Sequence, residues 1–294
     1  MTNASDQTSS RGFNIVLIVG IGVLLTLVYW PLLAWLARAS LHVTQLSTGA
    51  LLVVFAAVVC LQDSLRALRF APQVNSPGVA LLALGFACLW LARRFAVGVL
   101  PLVVFSLCAS FAAIVAFFFG RAGVRQFLPA LGGFLVFGLL VGLFPTLDWP
   151  LRALAAKHAG SLLAWLGVPV RLLIEPGRPA ELVLGVGGQL FRVATECNGF
   201  GLLTSALLLA TILAFHYRLP WQNKLGLLAL SIPVAIVCNF LRIVSICLVA
   251  PRVAWSYFFM HEALGTIFYF AGLTLVWLAA RQARGVDGER TGRS

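Results

Sequence analysis

Hydrophobic residues fall in long runs separated by short segments that carry most of the arginines, and this alternation extends along most of the chain. A helix needs about 20 apolar residues to cross the hydrocarbon core of a bilayer. Runs of that order occupy 13–37, 46–62, 77–92, 96–119, 127–146, 198–216, 224–250 and 256–280, the second and third being short. Unpaired backbone is too costly in lipid, so each run is expected to be helical. The pattern predicts an all-α polytopic membrane protein of about eight transmembrane helices. Gly138 and Gly142 are spaced for close helix packing within the fifth run.

Between the fifth and sixth runs lies the only sizeable segment of different character, 147–197. Residues 150–166 are amphipathic, with Arg152, Lys157 and His158 among Leu and Ala, and are expected to lie along the membrane surface. Val170, Leu172 and Ile174 then alternate with other residues, 175–179 reads as a turn, and Leu182, Leu184 and Val186 alternate again. The run 190–195 reads as a third short strand leading into Cys197. The chain thus divides into an N-terminal tail (1–12), helices over 13–146, a small β element with an amphipathic helix (147–197), helices over 198–280, and a basic tail (281–294).

Composition agrees with lipid as the solvent. The 294 residues are 61% hydrophobic and 10% charged, where a soluble domain carries about 25% charged residues. A net charge of +12 would suggest nucleic acid in a soluble protein, but these cations sit in short clusters between apolar runs, as orientation signals do. No nucleic-acid partner is expected. With the N-terminus inside, the inner segments hold Arg11, Arg66, Arg69, Arg121, Arg125, Arg218, Lys224, Arg281, Arg284, Arg290 and Arg293, while the short outer loops hold Arg38, Arg93, Arg94 and Arg252. The positive-inside rule favours this threading, with both termini cytoplasmic and 147–197 outside the inner membrane. The first run is too long for a signal-peptide core of about 7–15 residues and is read as a retained span.

Few residues are left to carry chemistry. Of the six cysteines, five lie inside apolar runs, and no metal-ligand spacing occurs, so no metal or cofactor is expected. Serine chemistry of the Gly-x-Ser-x-Gly kind and an intramembrane aspartyl pair both lack their residues. Cys197 stands in Glu196-Cys197-Asn198-Gly199 at the outer mouth of the sixth run. A helix N-terminus and nearby cations favour thiolate, whereas Glu196 opposes it. A cysteine there is equally a small apolar residue. Arg242 lies inside the seventh run, about 12 Å below its outer end at 1.5 Å per residue. A charge at that depth faces a partner or cavity, or snorkels. Asn239, three residues earlier on the same face, orients Arg242, binds substrate backbone or packs helices. His261 opens the eighth run and is placed to exchange protons near neutrality, or is a solvated cap. Glu262 is a helix-start charge or a partner of His261. The threading delivers Cys197, Arg242 and His261 near one membrane face from three different runs.

Cys197 with Gly199 after a short strand, then Asn239-x-x-Arg242, then His261 with Gly265, resembles the exosortase/archaeosortase family of polytopic membrane proteins. The likeness covers most of 127–280, and the first four runs add only hydropathy. It implies a cysteine transpeptidase or endopeptidase with Cys197 as nucleophile, His261 as general acid/base and Arg242 as stabiliser of the oxyanion or thiolate. The implied substrate is a protein with a C-terminal motif such as Pro-Glu-Pro, an apolar span and a basic tail, passed to water or to an amine acceptor of unknown identity. Many members carry Ala-Cys-Ser-Gly where this chain has Glu196-Cys197-Asn198-Gly199. The alternative is a non-enzymatic transporter or assembly factor for an exported polymer, using Arg242 as an anion site and Cys197 as packing.

Overall fold

The computed structural model describes residues 19–67, 72–95, 99–175, 181–193, 197–253 and 256–291. The chain is mostly helical. Its elements are α1 (Val19–Val28), α2 (Trp30–His42), α3 (Thr44–Ala67), α4 (Ser76–Arg94), α5 (Val99–Trp165), β1 (Val170–Glu175), β2 (Glu181–Val186), β3 (Gln189–Arg192), α6 (Phe200–His216), α7 (Trp221–Val249) and α8 (Tyr257–Thr291). Among the described residues five helices are long and apolar enough to cross a membrane, or six if α1 and α2 count as one bent span. Large apolar residues such as Leu51, Phe55, Phe86, Ile267 and Phe270 point outward, which only lipid makes favourable.

The first run does not form one straight span. α1 and α2 meet at 74°. Pro31 supplies the cause, because its ring cannot sit in a continuing helix against the carbonyl four residues back. Tyr29 at the corner is buried, with its hydroxyl 2.6 Å from Ser106 Oγ. Ser106 donates to Gly85 O at 2.6 Å, so Tyr29 is the donor in that pair and ties the corner to α4 and α5.

α5 folds back on itself at Gly120, where φ is 64° and ψ −163°. Its arms pack antiparallel: the Phe111 and Phe127 rings are 5.8 Å apart, and Val104 and Leu100 occupy the notches at Gly138 and Gly142. The second arm, 121–165, does not stop at the end of the fifth run. It continues as one helix through the expected surface segment 150–166, so that amphipathic stretch packs on the β element with one face.

The sheet is an antiparallel meander in the order β1-β2-β3. Val170 pairs with Val186 and Leu172 with Leu184, and Leu184 with Phe191. Leu182, Leu184, Val186 and Phe191 are buried against Ala155, Ala156, Ala159 and Leu163 of α5. The edge strand β1 differs from its alternating pattern: Leu172, Leu173 and Ile174 are all exposed. Of the expected turn at 175–179, Glu175 ends β1 and 176–179 lie outside the described residues, as do 194–195 at the end of the expected third strand.

α6 is the hub, packed against α3, α5, α7 and α8. At one end of the bundle Arg284 of α8 lies 5.2 Å from the Tyr217 ring after α6, and Lys224 of α7 lies 4.3 Å from the Phe215 ring. α6 and α8 therefore run parallel, and their N-terminal ends meet at the opposite end of the bundle, beside the sheet.

Candidate active site

Cys197 sits one turn before α6, in the strand-to-helix passage. Its side chain is packed among β2, β3, α5 and α7 residues and is only 5% exposed. Gly199, the residue preceding the helix, has φ +76°, a left-handed conformation that L side chains rarely adopt. A Cβ there would also stand 2.6 Å from Asn239 Cγ. Gly199 therefore lets the passage turn sharply and lets α7 press against it. Phe200 then anchors α6, fully buried and edge-on to Phe144 at 4.9 Å.

α7 grips the passage with residues one turn apart on one face. Asn239 is buried, and its Nδ2 donates to Cys197 O at 2.9 Å. Its partner is thus the backbone of the cysteine rather than Arg242. Arg242 reaches α8, where Nη2 lies 3.1 Å from His261 Nε2 and 3.4 Å from Nδ1. Gly265, one turn after His261, makes room for this: a Cβ there would be 2.8 Å from Arg242 Nη2.

His261 Nε2 lies 3.3 Å from Cys197 Sγ. Nη2 lies near both ring nitrogens, so the guanidinium rests against the imidazole and does not fix its tautomer; with the ring proton on Nδ1, Nε2 keeps its lone pair for the thiol. Nδ1 is 3.6 Å from Glu262 Oε1, whose side chain is 63% exposed. This tautomer presents to the thiol a nitrogen able to accept its proton. Glu262 faces water and is a weak, screened partner. Glu196 lies outside the described residues.

A cavity of about 360 Å³ opens beside this cluster, lined by Gln45 and Thr48 of α3, Gly199 and Gly201, Asn239 and Arg242, and residues of α8 that include His261, Gly265 and Tyr269. The thiol is not on its wall. Cys197 lines a separate void of about 20 Å³ with Cys247, Ile243 and Phe191, so the sulfur sits behind the imidazole. A group bound in the large cavity meets Arg242 and His261 first, with Sγ behind the ring.

Sequence reasoning passed over Asp148. Its Oδ1 accepts from Asn198 Nδ2 at 2.6 Å and its Oδ2 from Arg152 Nη2 at 2.5 Å. Asn198 Oδ1 in turn accepts the Phe200 N–H at 2.7 Å. The signal was faint: an acid and an arginine four residues apart just past an apolar run, the acid fifty residues before Asn198. The other cysteines, Cys60, Cys88, Cys108, Cys238 and Cys247, are buried within helices. His42, His158 and His216 are exposed. Among the described residues no group of three His, Cys, Asp or Glu could hold a metal ion.

Fold and site together define a polytopic helical membrane protein with a Cys–His–Arg cluster at one end of its bundle. The transmembrane exosortase family model (Exosortase_EpsH) matches residues 35–278, which include every residue of that cluster, and the chain belongs to this family. No curated protein and no solved structure matches it.

Proposed function

We propose that the protein is a membrane cysteine peptidase or transpeptidase that cleaves proteins carrying a C-terminal sorting signal at the outer face of the cytoplasmic membrane. The observation that carries this reading is the 3.3 Å approach of Cys197 Sγ, just before α6, to His261 Nε2 of α8, 64 residues later in the chain. An eight-pass threading fits it. The bent α1–α2 pair, α3, α4, the two arms of α5, α6, α7 and α8 each make one pass, the basic end with Arg218, Lys224 and Arg284 faces inward, and the cluster faces outward.

In the reaction, the Cys197 proton passes to His261 Nε2 and the thiolate adds to the scissile carbonyl carbon. Arg242 and the backbone of Gly199 and Gly201, which line the cavity at the start of α6, face the oxygen on which charge develops. Preorganised donors of this kind are worth about 3–4 kcal/mol each in barrier height. The tetrahedral adduct collapses with cleavage of the C–N bond, the amine leaves with the proton from the imidazolium, and a thioester to Cys197 remains. His261 then takes a proton from water or from an acceptor amine, which attacks the thioester and frees the thiol. The cavity holds a short peptide segment, and its α3 wall offers Gln45 and Thr48 to the peptide main chain. The substrate's own apolar span lies alongside in lipid, with its basic tail on the inner side.

The test is processing of a co-reconstituted protein bearing the motif, span and basic tail. Cys197→Ala, His261→Ala and Arg242→Ala are expected to lose processing while Cys60→Ala retains it. Wild-type rates in Cys197→Ala would leave the cluster without an enzymatic role and favour transport.

A further inference from the structure

Cys197 is held from two directions. Asn239 fixes its carbonyl from α7, and a chain of three hydrogen bonds fixes the next residue from α5: Arg152 to Asp148, Asn198 to Asp148, and Phe200 N–H to Asn198 Oδ1. Asn198 is 3% exposed, and the side chains of Asp148 and Arg152 are 18% and 9% exposed. The last bond closes a local turn over Asn198, Gly199 and Phe200, which side chains of this type favour at helix starts. It also occupies the Phe200 N–H, leaving the Gly199 and Gly201 backbone to face the cavity.

The network is costly for stability alone. A largely buried ion pair costs desolvation that an apolar pair of similar volume would not. Arg152 Nε is buried without a hydrogen-bond partner among the described residues. What the pair does provide is a carboxylate with a fixed orientation. Arg152 engages one oxygen, so the other is directed at Asn198. The Asn198 amide must then point its nitrogen at Asp148 and its oxygen at the α6 N-terminus.

We infer that Asp148 is a positioning residue for the nucleophile, acting through Asn198 and not through His261, so that the second arm of α5 sets the register of Cys197 and its neighbouring N–H groups relative to the imidazole. The inference rests on the cysteine-peptidase reading. It makes the length of α5 beyond its apolar run functional: that extension brings the carboxylate to the site.

The experiment uses the full-length protein in proteoliposomes with a co-reconstituted substrate carrying a C-terminal motif, apolar span and basic tail. Asp148→Ala, Asn198→Ala, their double variant, Asp148→Asn and Cys197→Ala are compared by kcat, KM and melting midpoint. Misplacement of reacting groups by about 1 Å can cost about 100-fold. Asp148→Ala and Asn198→Ala are expected to lower kcat about 10- to 100-fold with KM within about two-fold. The double variant is expected to be no slower than Asn198→Ala, since groups in one network do not act additively. Asp148→Asn, whose amide oxygen still accepts from Asn198, should recover part of the rate. Multiplied losses in the double variant, or an Asp148→Asn protein as slow as Asp148→Ala, would overturn the inference. If Asp148→Ala lowers the melting midpoint, Asp148→Asn alone decides: wild-type kcat or partial loss supports positioning, full loss opposes it. Activity in Cys197→Ala would instead remove the underlying enzymatic reading, so the two failures are distinguishable.

Discussion

Two walls enclose the Cys197 passage, and they differ in kind. The wall made by α7 and α8 is polar and partly open: Asn239, Arg242 and His261 reach a cavity of about 360 Å³. The wall made by α5 and the sheet is apolar and closed, with Ala156, Ala159, Leu163 and Leu184 all at most 1% exposed. Set against it is the polar Arg152–Asp148–Asn198 network. The contrast separates two tasks. One wall supplies groups that can hold or move charge, and the other supplies a rigid bed that places the sulfur. A thiol at this position needs both, because a nucleophile buried without a base is inert and one with a base but no fixed backbone is misdirected.

The comparison can be broken on either wall. On the polar side, His261→Ala is expected to lower kcat about 10²–10⁴-fold, the usual worth of a positioned acid/base. Arg242→Ala should cost about 10²–10³-fold, as loss of an oxyanion donor does. Both proteins should keep the wild-type melting midpoint in detergent within a few degrees. On the apolar side the signs reverse. Leu163→Ala, at a fully buried site, should cost about 2–5 kcal/mol of stability by denaturant titration while kcat per folded molecule stays near wild type. A large loss of kcat there, with stability intact, would erase the division of labour. Gly199→Ala lies between the walls: the left-handed backbone alone costs about 1–2 kcal/mol, and the clash with Asn239 should lower kcat as well. The smallest effect belongs to Glu262→Gln, whose exposed carboxylate should change kcat by no more than about two- to three-fold, in line with about 0–1 kcal/mol for a surface pair.

The two walls were also unequally legible in the sequence. Cys197, Arg242 and His261 stood out because lipid makes a polar or charged group exceptional, and threading by charge brought them to one face. Asp148 and Arg152 sit where an apolar run gives way to an ordinary amphipathic stretch, so their charges carried only a faint signal. Nothing local says that Asn198, fifty residues later, is the partner. Asn239 was legible as a polar residue in a span, but its bond to the Cys197 carbonyl depends on the left-handed turn at Gly199. The alternation in 170–186 identified strands, yet periodicity names faces and not neighbours, so it placed Leu172 and Ile174 in a pattern without revealing that β1 is an edge. The corner between α1 and α2 had its sign in Trp30-Pro31, outweighed by the hydropathy of the surrounding run. The burial of the sulfur behind the imidazole is a packing result that no one-dimensional pattern contains.

The pairing of Cys197 with His261 is the centre of the account, and one measurement reaches it directly. Purified wild-type protein and Cys197→Ala are reconstituted separately with a substrate bearing a C-terminal motif, apolar span and basic tail, and release of the processed protein is followed by mobility shift. The wild-type protein is expected to process it, with a thioester to Cys197 trapped by hydroxylamine, and the Cys197→Ala protein to yield no product. Processing by Cys197→Ala at the wild-type rate would contradict the account.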